Sequence, residues 1–237
     1  MNALTAAMWK ALPDLLAEAE GDDAIRVIVL RGAGERAFST GADISEFESA
    51  RTGEKAAEYD ALNHAAFTAL SGCTKPTITM IHGFCLGGGL GLALSTDIRL
   101  ADEKAEFAIP AARLGLGYNA RWVRPLLAVV PPSRAKEMLF TGRRFKVAEA
   151  ADMGLVNRIV DAAGLEQTTH ALAQEIAANA PLTVRAAKRA IDEIMRHPET
   201  PNMAALDAAI AACFNSDDYA EGRRAFLEKR KPRFQGR

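Results

Sequence analysis

The chain has 237 residues, and its 29 Lys and Arg against 30 Asp and Glu give a formal net charge of −1. A charge so near zero gives no general attraction to nucleic acid or to an anionic membrane, and we expect neither as a partner. With 49% hydrophobic and 25% charged residues, the composition excludes a disordered or fibrous chain and is typical of a globular protein. The longest uncharged apolar stretch, residues 84–94, is much shorter than the roughly 20 residues of a membrane-spanning helix.

The first elements in chain order alternate between helix and strand. Apolar residues at helical spacing predict a helix over residues 3–20, and a second helix is predicted over residues 55–71. Runs rich in β-branched residues predict three buried strands, over residues 25–30, 75–82 and 97–110. This alternation predicts an α/β fold in which parallel strands are joined by crossover helices.

The second half of the chain is predicted to be almost entirely helical, with one strand over residues 155–160. The predicted helices cover residues 121–130, 133–140, 147–153, 165–179, 181–196, 202–213 and 217–230. We therefore divide the chain into an α/β core over residues 1–180 and a helical C-terminal region over residues 181–237.

The cysteines and histidines give no sign of a disulfide framework or of a metal site. Cys73, Cys85 and Cys213 are scattered and form no CxxC pair, which is typical of reduced thiols. The first residues lack the basic start and apolar run of a secretory leader, so we expect a cytoplasmic protein. The histidines are too dispersed for a metal motif, and we expect no bound metal.

Two loops follow predicted buried strands, where α/β proteins usually place their sites. The first loop covers residues 39–44 (STGADI), and the second covers residues 83–89 (GFCLGGG) and leads into a helix. Three consecutive glycines at a helix start leave backbone N–H groups unpaired, and such groups can bind an anion or a developing oxyanion. The alternative is that these glycines only permit a tight turn or close packing of helix and strand.

Several motifs, in this order and along essentially the whole chain, resemble those of the crotonase (enoyl-CoA hydratase/isomerase) superfamily. They lie at residues 41–44, 75–76, 87–90, 97–98, 107–110, 139–142, 148–156 and 226–234. The resemblance implies a spiral of ββα units with a helical C-terminal trimerisation region, in a homotrimer or a dimer of trimers. It also implies an acyl-CoA thioester as the ligand, with coenzyme A as part of the substrate and no separate cofactor. Family chains usually carry a β-hairpin before the position of Asn2, and this hairpin is expected to be missing here.

The resemblance also assigns roles to individual positions. In the family, two backbone N–H groups polarise the thioester carbonyl and stabilise an enolate, and the motifs place these donors at Ala42 and Gly88. One donor of this kind stabilises the transition state by about 3 kcal/mol. Further positions expected to contact the substrate or its CoA are Asp43, Ile44, Gly87, Ala111, Phe226 and Lys229.

The two glutamates used by the family's hydratases are absent, because their positions are occupied by Gly91 and Ala111. Addition of water needs a base and an acid, and neither residue can act as one. Ordinary enoyl-CoA hydration is therefore not expected unless another carboxylate reaches the site. The candidates are Glu46, Glu48 and Glu106, which we expect to be mostly surface charges.

Other branches of the family assign a role to three further residues. The aspartate of the isomerases and dehalogenases falls on Asn119, and an amide is neither a useful base nor a good nucleophile. The dehalogenases' base histidine falls on His64, which is either a proton shuttle or a helix residue that points elsewhere. The pair Tyr118-Asn119 resembles the methylmalonyl-CoA decarboxylase branch, in which Tyr118 matches a tyrosine of the pocket.

Decarboxylation suits these residues because loss of CO₂ creates the enolate without a base that removes a C–H proton. It needs an oxyanion hole, an apolar slot and a weak proton donor. We therefore predict a lyase of the decarboxylase type whose catalytic residues are Ala42, Gly88, Tyr118, Asn119 and His64. Two alternatives stay open: an enoyl-CoA hydratase or isomerase with an atypical acid or base, and a catalytically inactive scaffold that binds CoA.

Overall fold

A computed structural model describes residues 1–46 and 54–237 of the chain, and its strands form two four-stranded sheets. The strands are β1 (Ile28–Arg31), β2 (Ala37–Ser39), β3 (Thr77–Ile81), β4 (Phe84–Leu86), β5 (Ile98–Asp102), β6 (Glu106–Ala108), β7 (Phe145–Lys146) and β8 (Arg158–Val160).

The helices surround these sheets and fill the C-terminal region. They are α1 (Ala6–Gly21), α2 (Glu54–Ser71), α3 (Gly88–Leu94), α4 (Ala120–Val129), α5 (Pro132–Thr141), α6 (Val147–Asp152), α7 (Leu165–Ala177), α8 (Pro181–Arg196), α9 (Met203–Phe214) and α10 (Asp217–Leu227). Short 3-10 turns cover Ile44–Glu46 and Pro110–Leu114. No helix among the described residues is long and apolar enough to cross a membrane.

From β1 to β6, successive strands alternate between the two sheets. The first sheet has the order β1-β3-β5-β8 and is parallel throughout. The second has the order β2-β4-β6-β7, and its last strand is antiparallel to its neighbour. Each of the first three chain passages therefore adds one strand to each sheet, which confirms the predicted spiral of ββα units.

The short strands of the second sheet differ from the sequence-based expectation. Both β2 and β4 lie in segments predicted as loops, because three residues are too few to show a periodic pattern. Residues 97–110, predicted as one strand, form β5 and β6 instead. The turn between them is held by Asp102, whose carboxylate accepts the Lys104 N–H at 2.9 Å and whose carbonyl accepts the Ala105 N–H at 3.1 Å.

The hydrophobic core lies between the sheets and the helices that cover them. All five residues of β3 are buried, as expected for a central strand covered on both faces. Ile81, Leu90 and Phe107 are completely buried, and each contributes about 1.5–3 kcal/mol relative to an exposed position.

The C-terminal region exposes many large apolar side chains. The predicted boundary at residue 180 coincides with Ala180, the N-cap of α8. Along α8, α9 and α10 the exposed apolar residues include Ile191, Ile194, Met195, Ile210, Phe214, Phe226 and Leu227. Contiguous exposed apolar side chains of this kind mark interaction surfaces in other proteins.

Candidate active site

The two loops singled out in the sequence lie against each other. Ala42 follows β2, and Gly88 is the first residue of α3. A β-carbon built on Gly88 would lie 3.6 Å from the Ala42 nitrogen, and one built on Gly41 would lie 3.3 Å from the Gly88 nitrogen. The backbone segments that carry the two predicted donors are therefore in direct contact.

The N–H group of Ala42 has no acceptor among the described residues, because the hydrogen bonds of this loop with Leu4 are made by the residues on either side of Ala42. Residues 4 and 42 form a parallel bridge, in which Leu4 N–H donates to Gly41 O at 2.8 Å and Asp43 N–H donates to Leu4 O at 3.0 Å. In a parallel bridge the central residue directs its own N–H to the other side. No described residue accepts a hydrogen bond from Ala42 N–H.

The N–H group of Gly88 is unpaired because it begins a helix. Gly87 N–H donates to Ala108 O at 2.8 Å, and the first bond of the helix runs from Gly91 N–H to Gly87 O at 3.0 Å. Gly88 N–H thus has no acceptor within the helix, and no acceptor for it is found elsewhere in the described ranges.

Two glycines are required for this arrangement. Gly87 has a φ of 50° and a ψ of −119°, a conformation that side chains disfavour. Gly41 has a φ of 93°, and a β-carbon there would stand 3.0 Å from Leu86 O. Both glycines let the backbone of one loop approach the other, so the packing interpretation and the donor interpretation of these residues hold together.

Both donors line one cavity of about 120 Å³. Its lining residues are Thr40, Gly41, Ala42, Tyr59, Asn63, Phe67, Gly87, Gly88, Gly91, Ile109, Pro110, Ala111, Leu114, Leu116, Tyr118 and Trp122. Within the described part of the chain, none of these side chains is a carboxylate, an imidazole, an ammonium or a guanidinium group. The cavity therefore brings together the predicted Ala42, Gly88, Gly87, Ala111 and Tyr118 without an ordinary acid or base.

Aromatic rings form one wall of the cavity. Edge-to-face contacts join Trp9 to Phe67 at 5.4 Å between ring centroids, Phe67 to Trp122 at 6.3 Å, and Trp122 to Tyr118 at 5.6 Å. The Phe67 ring covers Gly91 so closely that a β-carbon on residue 91 would lie 2.7 Å from Phe67 Cζ. An aromatic ring thus occupies the space next to one of the two missing glutamates.

Tyr118 presents a neutral hydroxyl at this cavity. Its side chain is half-buried, and its hydroxyl makes no hydrogen bond to another described residue. Burial raises the pKa of the Tyr118 phenol well above its ordinary value, because desolvation disfavours the phenolate. Tyr118 is therefore a protonated hydrogen-bond donor at neutral pH.

Two further polar residues of the cavity, Tyr59 and Asn63, were missed in the sequence. The Tyr59 hydroxyl accepts a hydrogen bond from Trp9 Nε1 at 3.2 Å, and Asn63 Nδ2 donates to the Tyr59 carbonyl at 2.9 Å. Asn63 is only 6% exposed, and no described residue donates to its Oδ1. The spacing of Tyr59, Asn63 and Phe67 at successive turns of α2 is the signal that could have identified this face.

His64 and Asn119, both predicted as catalytic, do not line the cavity. His64 follows Asn63 on α2 and is exposed, because one step along a helix turns a side chain by about 100°. Asn119 is also exposed, and its Oδ1 caps α4 by accepting the Arg121 N–H at 3.0 Å. The neighbouring Asn63 and Tyr118 occupy the cavity instead.

The candidate replacement carboxylates do not provide an acid or base in the described part of the cavity. Glu46 Oε2 accepts the Ala6 N–H at the start of α1, at 2.8 Å. Glu106 forms an ion pair with Arg144 at 3.1 Å. Neither is a lining residue. Glu48 lies outside the described residues.

The residues predicted to contact CoA are distributed over two regions. Asp43 lies beside Ala42, and the pKa of its carboxyl is lowered by hydrogen bonds from the Ser45 hydroxyl at 2.7 Å and the Ser45 N–H at 3.0 Å. Ile44 begins the first 3-10 turn. Phe226, which is 83% exposed, and Lys229 lie at the end of α10, and neither lines the cavity.

No group of three or more His, Cys, Asp or Glu residues that could hold a metal ion occurs in the described ranges. The chemistry available to the described cavity is therefore that of two backbone N–H groups, a neutral phenol, an amide and an apolar wall. This set suits the stabilisation of negative charge on a carbonyl oxygen.

Comparison with known proteins agrees with this geometry. The sequence model of the enoyl-CoA hydratase/isomerase family matches residues 1–237. The short-chain-enoyl-CoA hydratase of Clostridium acetobutylicum is 35% identical over 231 residues, which cover 98% of this chain and 88% of the relative. The carnitinyl-CoA dehydratase of Proteus mirabilis is 36% identical over 241 residues, which cover 100% of this chain and 91% of the relative.

A solved structure has nearly the same fold. The enoyl-CoA hydratase/carnithine racemase from Magnetospirillum magneticum superposes with a TM-score of 0.95 at 37% identity, over 99% of this chain and 88% of that one. These matches confirm the resemblance to the superfamily, while the decarboxylase branch is not confirmed by them. With its paired strands, its two adjoining loops and a family match from end to end, this chain belongs to the enoyl-CoA hydratase/isomerase, or crotonase, superfamily.

Proposed function

We propose that the protein acts on an acyl-CoA thioester whose carbonyl oxygen binds between Ala42 N–H and Gly88 N–H. The observation that supports this proposal is that Ala42 and Gly88, whose N–H groups have no acceptor among the described residues, line the same cavity from adjacent loops. As an enolate forms, negative charge develops on that oxygen, and fixed donors stabilise it more than they stabilise the neutral carbonyl. Coenzyme A is the carrier of the substrate in this proposal, and no separate cofactor is required.

Within this class, the described cavity best supports decarboxylation of a malonyl-type thioester. The bond between the α-carbon and the carboxylate breaks, CO₂ leaves, and the electron pair moves into the enolate. A proton then returns to the α-carbon from the Tyr118 hydroxyl or from water. No step needs a carboxylate base, and the lining residues within the described ranges offer none.

The test is to incubate the protein separately with malonyl-CoA, methylmalonyl-CoA and crotonyl-CoA, and to identify the products by mass spectrometry. We expect CO₂ release from a malonyl-type substrate and little hydration of crotonyl-CoA. Gly88→Pro removes one donor N–H and should abolish turnover. Rapid hydration of crotonyl-CoA without CO₂ release would contradict the decarboxylase proposal and leave the acyl-CoA class intact.

Hydration or dehydration is the second candidate, favoured by relatives named short-chain-enoyl-CoA hydratase and carnitinyl-CoA dehydratase. This reaction would need an acid or base in addition to the described lining residues, and Glu48 is the candidate from the sequence. If hydration is observed, Glu48→Gln should reduce it by at least about tenfold, whereas Glu106→Gln should not. Tight CoA binding without turnover of any thioester would instead favour the inactive scaffold.

The C-terminal region supports a proposal about assembly and CoA contacts. We propose a homotrimer or a dimer of trimers in which α8, α9 and α10 of neighbouring copies cover their exposed apolar side chains. Asp43, Ile44, Phe226 and Lys229 are proposed to contact CoA, with Lys229 as a point charge for a phosphate. Light scattering of the purified protein tests the assembly, and a monomer at micromolar concentration would contradict it. A cytoplasmic location remains part of the proposal.

A further inference from the structure

Ser39 connects the two arms of the proposed oxyanion hole. It is 2% exposed at the end of β2, and its Oγ accepts the Gly41 N–H at 3.1 Å. The same hydroxyl donates to the Asn2 carbonyl at 2.8 Å. Ser39 therefore fixes the N–H side of the Thr40–Gly41 peptide, which is one peptide unit before the unit that carries Ala42 N–H.

The other side of Ser39 contacts the start of α3. A β-carbon on Gly89 would lie 2.6 Å from Ser39 Cβ and 2.9 Å from the Ser39 carbonyl oxygen. Gly89 directly follows Gly88, the second proposed donor. Ser39 thus packs against the start of α3, which carries Gly88. Its hydroxyl also forms a hydrogen bond with the loop that carries Ala42.

Residues 1–4, which we call the N-terminal strap, complete this support. Met1 O accepts the Thr40 N–H at 3.2 Å, Asn2 O accepts the Ser39 hydroxyl, and Leu4 pairs with both neighbours of Ala42. The Thr40 hydroxyl also donates to Met1 O, at 3.3 Å, but only Ser39, among the described residues, bonds by its side chain both to the strap and to the Gly41 N–H. Since Gly41 has a φ of 93° and no side chain, its peptide depends on such outside contacts for its orientation.

We propose that Ser39 is a positioning residue that sets the direction of Ala42 N–H relative to Gly88 N–H. This inference rests on the proposed function, because the pair of donors is the hole that Ser39 would orient. Without the hydroxyl, the Gly41 peptide loses an acceptor for its N–H and the loop loses its bond to Asn2. A displacement of about 1 Å in a reacting site can reduce a rate by about a hundredfold.

The experiment measures the thioester carbonyl itself. Acetyl-CoA with a ¹³C-labelled carbonyl is bound to the wild type and to Ser39→Ala and Ser39→Cys, and the carbonyl stretch is recorded by infrared difference spectroscopy. Cysteine keeps the shape of serine but is a weak donor and acceptor. Ser95→Ala is the matched control, because Ser95 is also buried and its Oγ donates to Gly91 O at 2.9 Å. Circular dichroism and thermal unfolding verify that each variant is folded.

We expect the bound carbonyl to absorb at lower wavenumber than in water for the wild type and Ser95→Ala. In Ser39→Ala and Ser39→Cys, at least half of this shift should be lost. For the thioester that the wild type turns over, kcat should fall by about tenfold or more, while KM should change by less than about threefold. An unshifted carbonyl in the wild type would overturn the oxyanion hole and this inference together. A shifted wild type with an equal shift in folded Ser39→Cys would overturn the role of Ser39 alone.

Discussion

The ring of Phe67 lies on the backbone of Gly91, with 2.7 Å between Phe67 Cζ and the place where a β-carbon on residue 91 would stand. Position 91 is one of the two positions at which the family's hydratases carry a glutamate. In this chain residue 91 has no side chain, and the Phe67 ring occupies the space that a side chain there would need. The absence of the glutamate is therefore accompanied by a packed aromatic wall, and a single substitution cannot simply restore the acid.

Gly91→Glu is expected to destabilise the fold and to give no hydration of crotonyl-CoA. The new β-carbon would displace the Phe67 ring, and overpacking of this kind costs about 1–3 kcal/mol. Urea unfolding measures the loss, and Gly91→Glu should cost less stability in a Phe67→Ala background than in the wild type. A Gly91→Glu protein as stable as the wild type would show that the ring moves aside freely.

Phe67→Ala is expected to enlarge the cavity and to broaden the range of acyl groups that bind. Removal of the ring should cost about 3 kcal/mol of stability, near the lower end for a Phe-to-Ala change because Phe67 is only half-buried. Affinities for acetyl-, butyryl-, hexanoyl- and octanoyl-CoA can be compared by calorimetry. The preference of the variant should move toward longer chains, with Leu15→Ala, an exposed position on α1, as the control. An identical order of affinities in both proteins would exclude Phe67 as the wall that limits acyl length.

Asn63→Leu is expected to change which acyl groups bind without weakening the fold. Asn63 Oδ1 has no donor among the described residues, and because Asn63 lines the cavity, water or a ligand there can donate to it. The variant should be at least as stable as the wild type and should bind 3-hydroxybutyryl-CoA less well relative to butyryl-CoA. Asn63→Asp keeps an acceptor and serves as the comparison. If the ratio of the two affinities is the same in all three proteins, Asn63 does not contact the acyl group.

Tyr118→Phe is expected to slow decarboxylation by about tenfold or more, because the neutral hydroxyl is lost while the ring remains. Since burial raises the pKa of Tyr118, the hydroxyl stays protonated through neutral pH, and the rate should not fall near the ordinary phenol pKa on account of this group. The rate on a malonyl-type thioester, measured for both proteins from about pH 6 to about pH 10.5, tests both points. A variant with the wild-type rate would remove Tyr118 from the mechanism.

The alkaline limit of stability should depend on buried groups whose pKa is raised. Burial raises the pKa of Cys73 to about 11, and it also raises the pKa values of Cys85 and Tyr118. These groups stay neutral in the folded state while they ionise in the unfolded chain above about pH 8.5 for Cys and about pH 10 for Tyr. The stabilisation that these groups contribute is therefore fully present below their unfolded pKa values, and it is lost as the pH rises above them.

Urea unfolding at several pH values tests this expectation. The free energy of unfolding should be nearly constant between pH 7 and pH 8 as far as these three groups are concerned, and it should decrease toward pH 11. Tyr118→Phe should reduce the part of the decrease that lies above about pH 10. An equally steep decrease in the variant would show that Tyr118 titrates freely in the folded protein.

The long elements could be predicted from the sequence because their patterns extend over many residues. Helix α8, predicted and observed over Pro181–Arg196, is an example. Strands β2 and β4 could not be predicted, since a three-residue strand is defined by its partner in the sheet and not by its own pattern. The α/β class followed from the alternation of strands and helices, and the spiral of ββα units came from the motifs that resemble those of the family.

The candidate site was predictable where it is made of backbone. The glycine run at the beginning of α3 predicted unpaired N–H groups at the start of a helix, whereas Ala42 was assigned only by the resemblance to the family. Side chains were harder to assign, because an error of one position along a helix turns the side chain by about 100°. His64 and Asn63 differ by one position, and only the latter lines the cavity.

The hydrogen bonds of residues 1–4 tie the very start of the chain to a loop some forty positions later. Removal of this short segment would take Leu4 out of the hydrophobic core and leave Gly41 O and Asp43 N–H without their partners. The shape of the loop that carries Ala42 is therefore set by residues far from it in the sequence.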